Sequence, residues 1–288
     1  SQFRFPFALF FKENIRLLRS LTGSVVVSEN VSQETYLQFC KDFTLNSGVS
    51  IRANFMFIVA KNITIDGTVD CNGGYSGTTD NTYCQINVVG KSLRTTTSRP
   101  SISLIPCTGA SGNYQASDLG GGSGGNQPTN PNVNPSTSLV KTIYICSDAN
   151  TFLRHRLYQA GAGSTGGIVI LCGDKININN NINVSGTGHS SSDYAYGGGG
   201  GVAYIIGNQI TIGNITINAK GGDATSTAGT SFSTYGGGGG FILAWGFRSF
   251  SSSATYNVSG GTASGAANNY PGQDGTLYTG LKALEDMS

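Results

Sequence analysis

Apolar and polar residues alternate in short segments that recur along most of this chain. Lys-Ile-Asn-Ile-Asn (175–179) and Asn-Ile-Asn-Val-Ser (181–185) are echoed by Gln-Ile-Thr-Ile (209–212) and Asn-Ile-Thr-Ile-Asn (214–218). An apolar residue at every second position marks a strand with one buried face. Each pair follows a run that is apolar throughout: IVILC (168–172) and VAYII (202–206), with FILAW (241–245) opening a third copy. Such runs fit strands covered on both faces. An earlier copy reads FMFIVA (55–60), NITI (62–65) and GTVDC (67–71), and FTLNSGVSI (43–51) reads as a partial opening coil. Each unit predicts three short strands separated by one or two turn residues.

Glycine punctuates the same period. Residues 166–167, 197–201 and 236–240 are glycine and run straight into the three apolar segments. The last glycines, Gly167, Gly201 and Gly240, lie 34 and 39 residues apart. Self-similarity at this period points to stacked repeats. The expectation is an all-β fold: a parallel β-solenoid (β-helix) with about three strands per coil. Glycine runs placed side by side would pack backbone against backbone, in a polyglycine II-like loop layer that only a residue without Cβ permits.

Composition narrows the class. The 288 residues include 43 glycines but only 11% charged residues, and the formal net charge is +2. Regular isoleucine spacing argues against disorder, and the absence of a three-residue glycine period excludes collagen. Without a Lys/Arg cluster there is no electrostatic footprint for nucleic acid, and no apolar run reaches the length of a membrane span. This balance, with much Asn, Ser, Thr and Tyr, fits a virion surface or extracellular setting.

The chain divides into a segment that does not fit the repeat (1–42) and a repeat domain (43–288) interrupted by a large irregular insertion (75–165). Phe3, Phe5, Phe7, Leu9, Phe10 and Phe11 make the first segment either a cap on the open end of the stack or an attachment point for another subunit. A homo-oligomer is expected. The insertion contains GGGSGG (120–125), a Pro/Asn stretch (126–135), two strand-like pieces (85–89 and 142–146) and three of the six cysteines: Cys84, Cys107 and Cys146. With no C-x-x-C pair, zinc or thioredoxin-like chemistry is not expected, whereas disulfides are permitted. Cys71 and Cys172 sit at strand positions, where a small buried hydrophobe is the competing reading.

Three smaller excursions (187–196, 223–235 and 262–280) leave the third strand through glycine and should project from one edge of the stack. They carry aromatic residues, which stack on sugar faces and anchor protein interfaces. The contact residues expected are Tyr194, Tyr196, Phe232, Tyr235 and Tyr270, with Tyr114 from the insertion. No cofactor, metal site or catalytic group is expected. Hydrolysis of a polysaccharide would require paired carboxylates, yet no glutamate lies between Glu34 and Glu285. Asp66, Asp70 and Asp174 read as turn residues bonding their own backbone, and His155 and His189 as surface histidines. The Asn-x-Ser/Thr sites at Asn30, Asn62, Asn183, Asn214 and Asn257 fit strand alternation as well as glycan attachment.

The segments FTLNSGVSI, FIVAKNITIDGTVDCNGG, YGGGGGVAYIIGNQITIGNITINAKGG and YGGGGGFILAWG together resemble the glycine-rich β-solenoid tail-fibre and tail-tip proteins of phages and viruses. The likeness spans residues 43–261 and is one of compositional grammar; the N-terminal segment and the long insertion depart from it. It implies a structural, adhesive protein that contacts a host-surface glycan or protein through variable loops, and it transfers no individual residue. A polysaccharide depolymerase on a β-helix scaffold and a self-assembling extracellular filament subunit are the alternatives.

Overall fold

The computed structural model describes residues 18, 20–33, 35–53, 55–72, 83–89, 143–144, 150–156, 163, 166–192 and 195–282. The described chain is all-β and dominated by parallel sheets. The largest contains β1 (Ser24–Val27), β3 (Thr35–Leu45), β5 (Phe55–Ile65), β10 (Ile168–Ile178), β14 (Val202–Ile212), β17 (Phe241–Ser252) and β20 (Thr276–Leu281). Their spatial order is their chain order, and every pairing is parallel. A second parallel sheet follows the same progression through β2 (Val31–Ser32), β4 (Ser50–Arg52), β6 (Thr68–Asp70), β11 (Ile182–Asn183), β15 (Thr216–Asn218) and β18 (Thr255–Asn257). Successive repeats thus add successive strands, one to each of these two sheets, except that β20 has no counterpart in the second.

Register explains the alternation in the sequence. Ile63 pairs with Ile176, which pairs with Ile210, so like residues stack on like. The inward positions of the two sheets close around one apolar core containing Ile58, Ile63, Val69, Leu171, Ile176, Ile182, Ile205, Ile210 and Ile217. Burying a side chain of this size contributes about 1.5–3 kcal/mol. The first half of β5, β10, β14 and β17 is buried on its other face too, where Phe57, Ile170, Tyr204 and Leu243 occupy one column; in β3 the corresponding Leu37 is 37% exposed. The two strands expected in this part of each repeat are one strand of about eleven residues. Pairing is interrupted at Lys61, Asp174 and Asn208, where the sequence shows its short turn. Gly48 supplies a positive φ of 77° between β3 and β4, in the turn closed by the Val49 amide on the Asn46 carbonyl at 3.2 Å.

Pairing begins at Ser24, inside the segment expected to stand apart as a cap, because β1 and β3 share the register of the later layers without a glycine run to announce them. Phe3, Phe5, Phe7, Leu9, Phe10 and Phe11 lie outside the described residues. Within the insertion, β7 (Tyr83–Val89), β8 (Ile143–Tyr144) and β9 (Asn150–Arg156) form an antiparallel sheet in the order β7-β9-β8. Two of these strands fall on the strand-like pieces of the sequence.

A third parallel sheet is built from the excursions: β12 (His189–Ser191), β13 (Ala195–Tyr196), β16 (Ala224–Tyr235) and β19 (Ala263–Tyr270). Glycine runs carry the chain from this sheet back to the largest one, and their hydrogen bonds repeat every third residue. The Gly197 and Gly200 amides donate to the Tyr235 and Gly238 carbonyls of the next layer, both at 2.8 Å. The Gly198 and Gly201 amides donate within their own layer, to Thr187 at 3.0 Å and Val184 at 2.6 Å. One layer on, Gly236 and Gly239 reach Tyr270 and Gln273, while Gly237 and Gly240 reach Gly222 and Ala219. A Cβ on Gly200 would come within 3.0 Å of the Ala219 carbonyl and the Gly240 amide.

The final layer breaks this scheme in a chemically consistent way. Pro271 takes the place of Gly197 and Gly236, whose amides bond to the following layer, and proline has no amide hydrogen. Gly186 and Gly221 donate to Lys220 and Ser259 in the layers above them; their counterpart Gly260 donates at 2.9 Å to the carboxylate of Asp274. A side chain thus supplies the acceptor that another layer would have provided.

Candidate contact surface

The excursions are held at their base by two devices. The first is a column of tyrosines at the end of each excursion. The Tyr196 and Tyr235 rings stack at 5.4 Å and 8°, and those of Tyr235 and Tyr270 at 5.0 Å and 14°. Parallel register places these residues one above another, and stacking contributes beyond simple burial. The second is a clasp at Asp223. Its carboxylate accepts from Lys220 Nζ at 2.8 Å and from the Thr262 amide of the next layer at 2.7 Å, and its carbonyl accepts from the His189 amide of the previous layer at 2.9 Å. Partial burial alone would raise the Asp223 pKa, but the bonds from Lys220 and Thr262 outweigh it and hold the carboxyl below its ordinary value. Burial lowers the pKa of His189.

The tips differ from the bases. His189 pairs with Ala224 and Ala224 with Ala263, while Tyr196 pairs with Tyr235 and Tyr235 with Tyr270. Between these fixed points the middle excursion is four residues longer than its neighbours, and the register slips on both sides of Gly229. The extra length is accommodated entirely between Thr225 and Ser233.

The six residues expected on the contact surface divide accordingly. Tyr196 and Tyr235 are only 3% and 4% exposed, and their rings pack within the column. Tyr270 ends the column and is half-buried. Phe232 lies in the longest tip on β16, with its side chain outside what the structure describes. Tyr114 and Tyr194 lie outside the described residues.

Asp42, Asp66, Asp70 and Asp174 accept bonds from a neighbouring layer and not from their own turns. Asn62 Nδ2 donates to Asp42 Oδ1 at 2.6 Å, Asn179 to Asp66 at 2.7 Å, Asn183 to Asp70 at 3.3 Å and Asn208 to Asp174 at 2.7 Å. In each case an asparagine reaches back to an aspartate one layer earlier. The bond from Asn62 is the main cause that lowers the pKa of Asp42. Among the described residues no group of three or more His, Cys, Asp or Glu is placed to hold a metal ion. Cys71, one residue past β6, and Cys172 on β10 are both buried, and burial pushes the Cys172 thiol up to about 12. Of the glycan-acceptor sequences, Asn183 and Asn257 engage their own serines, with Ser185 Oγ and Ser259 Oγ donating at 2.7 Å. Asn30 accepts from the Ser50 amide at 2.9 Å, and Asn214 is exposed in the turn before β15.

Sequence pattern missed one aromatic pair. Trp245 and Tyr278 lie 6.4 Å apart near the open edge of the largest sheet, with Lys282 Nζ 5.9 Å from the Trp245 ring centroid. Trp245 reads from sequence as one more core residue in an apolar run, and Tyr278 as a loop residue; only register brings them together. Among known proteins, the chain matches no family model, no curated protein and no solved structure.

Proposed function

We propose that the chain is a parallel β-solenoid with a polyglycine II-like layer, and that it is a structural and adhesive component of a virion surface or extracellular filament. In this reading the stacked layers form a stiff support, and the outer tips of the excursions meet a host-surface glycan or protein. Support comes from one observation above all: the third sheet keeps its register at the base of every excursion and varies in length only at the tips. Loops on a rigid scaffold, free to change length without disturbing it, suit recognition. The three-residue hydrogen-bond period of the glycine runs supports the polyglycine II-like description. Phe232, Tyr194, Tyr114 and the half-buried Tyr270 are the contact candidates retained; Tyr196 and Tyr235 are assigned to the support.

The test is binding of the purified protein to intact cells or their extracted surface glycans, with released sugar assayed in the same tube. Saturable binding without released fragments is expected, and removing residues 229–232 should abolish or weaken it while leaving the circular dichroism spectrum intact. Release of oligosaccharide would overturn the reading in favour of a depolymerase. Absence of any binding would leave the stack a purely structural element.

A further inference from the structure

The open end of the largest sheet carries a notch that the layer below does not have. Trp245 on β17 pairs with Gly280 on β20. Among the described residues, a Cβ on Gly280 would meet nothing within 4 Å beyond its own chain neighbours, so the space beside it is open there. Tyr278 stands on one side of this gap, 43% exposed, with its ring edge-on to Phe241 at 6.0 Å and tilted to Trp245 at 6.4 Å. Lys282 stands on the other, its ammonium over the indole at 5.9 Å. One step along β17, pairing with β14 slips by a residue between Gly246 and Ser249, a bulge that the β5, β10 and β14 pairings lack. The bulge holds an exposed Arg248. Bulges re-aim side chains and gather near binding sites.

We propose that Trp245, Tyr278 and Lys282, with Arg248 on the adjoining bulge of β17, form a shelf for an acidic glycan. The proposal rests on the adhesive reading above and gives it a second contact point with a defined ligand class. Tyr278 offers its ring to the apolar face of a sugar, as exposed aromatic rings do. Lys282 and Arg248 supply positive charge to pair with a carboxylate or sulfate. A second copy of the chain is the less suitable occupant. Pro271 withholds the amide that another layer would need, and Asp274 already occupies the Gly260 donor. The terminal layer is therefore closed to continuation in its glycine part while its aromatic part stays open.

Trp245 is the only tryptophan in the chain, so its emission reports on this site alone. The full chain is titrated with polygalacturonate, with dextran sulfate and with uncharged dextran while tryptophan emission is followed. At least one acidic polymer should give a saturable change, and uncharged dextran none. Tyr278→Ala and, independently, Lys282→Gln should each weaken the titration about tenfold or more. No change with either acidic polymer overturns the proposal, and so does a titration that survives both substitutions or one that dextran reproduces. Cell binding is measured on the same preparations. If it persists where the emission response is absent, the shelf alone is refuted; if wild-type protein binds no cells, the adhesive reading itself fails.

Discussion

Single atoms decide much of this architecture. Gly200 has an ordinary backbone, yet a methyl group there would press on the Ala219 carbonyl and the Gly240 amide, neither of which can move without breaking the bonds of two layers. Gly200→Ala should therefore cost about 3 kcal/mol or more in a urea unfolding experiment. Gly213→Ala, where the nearest atom to a new Cβ is 3.5 Å away, should stay within about 0.5 kcal/mol of wild type. Asp223 sets a pH dependence of known sign. Its folded-state pKa lies below the ordinary value, so its contribution is fully present above about pH 4 and is lost as the pH falls through the folded value. Asp223→Asn should flatten the fall of the unfolding midpoint below about pH 4. His189 acts at higher pH: burial disfavours its charged form, so stability declines below about pH 6.5, and His189→Gln should remove that part of the slope.

At the scale of elements, the alternation of isoleucine with asparagine and threonine located the strands because period-2 burial leaves a direct trace in sequence. The boundary between the two strands of the long wall was also visible, at Lys61, Asp174 and Asn208, although the structure joins them into one. Three things left no such trace. Strands β1–β3 lack glycine runs, so nothing linked residues 24–42 to the later layers before register was known. The excursions read as loops because Ser, Thr, Gly and Asn dominate them, but parallel neighbours give their backbones partners and turn them into a sheet. The tyrosines before the glycine runs read as contact residues because they adjoin those loops, yet they stack at 5.0–5.4 Å, with Tyr196 and Tyr235 buried and Tyr270 half-buried. Aromatic character alone does not separate a column from a binding surface; position along the stack does. The tip of β16 is the counterpart. Deleting residues 229–232 gives the middle excursion the length of its neighbours, and the thermal midpoint should move by no more than a few degrees.

At the scale of the whole molecule, the described layers have unlike edges. At the start, β1 and β2 are the edge strands of their sheets; at the finish, Leu277 and Leu281 are 39% and 65% exposed, and the glycine part is closed by Pro271 and Asp274. Replacing both closing residues by glycine would return an amide hydrogen at 271 and leave the Gly260 amide without its acceptor. An exposed donor row of this kind invites pairing. The double substitution should shift the protein towards larger species in sedimentation at equal concentration and should lower stability by about 1 kcal/mol. Unchanged sedimentation would mean that the end is shielded by something other than these two residues.

That closed finish bears on ancestry. A gene for such a chain lengthens most simply by tandem duplication, and the new copy must find a place where both its neighbours already speak its register. A copy of residues 202–240 inserted after residue 240 meets that condition on both sides, whereas a copy added beyond residue 275 would have to build on a proline. Variants of different length should then differ by whole repeats inserted between existing layers, so descent would be recorded in the number of those copies, while the layer that carries Pro271 and Asp274 stays as it is.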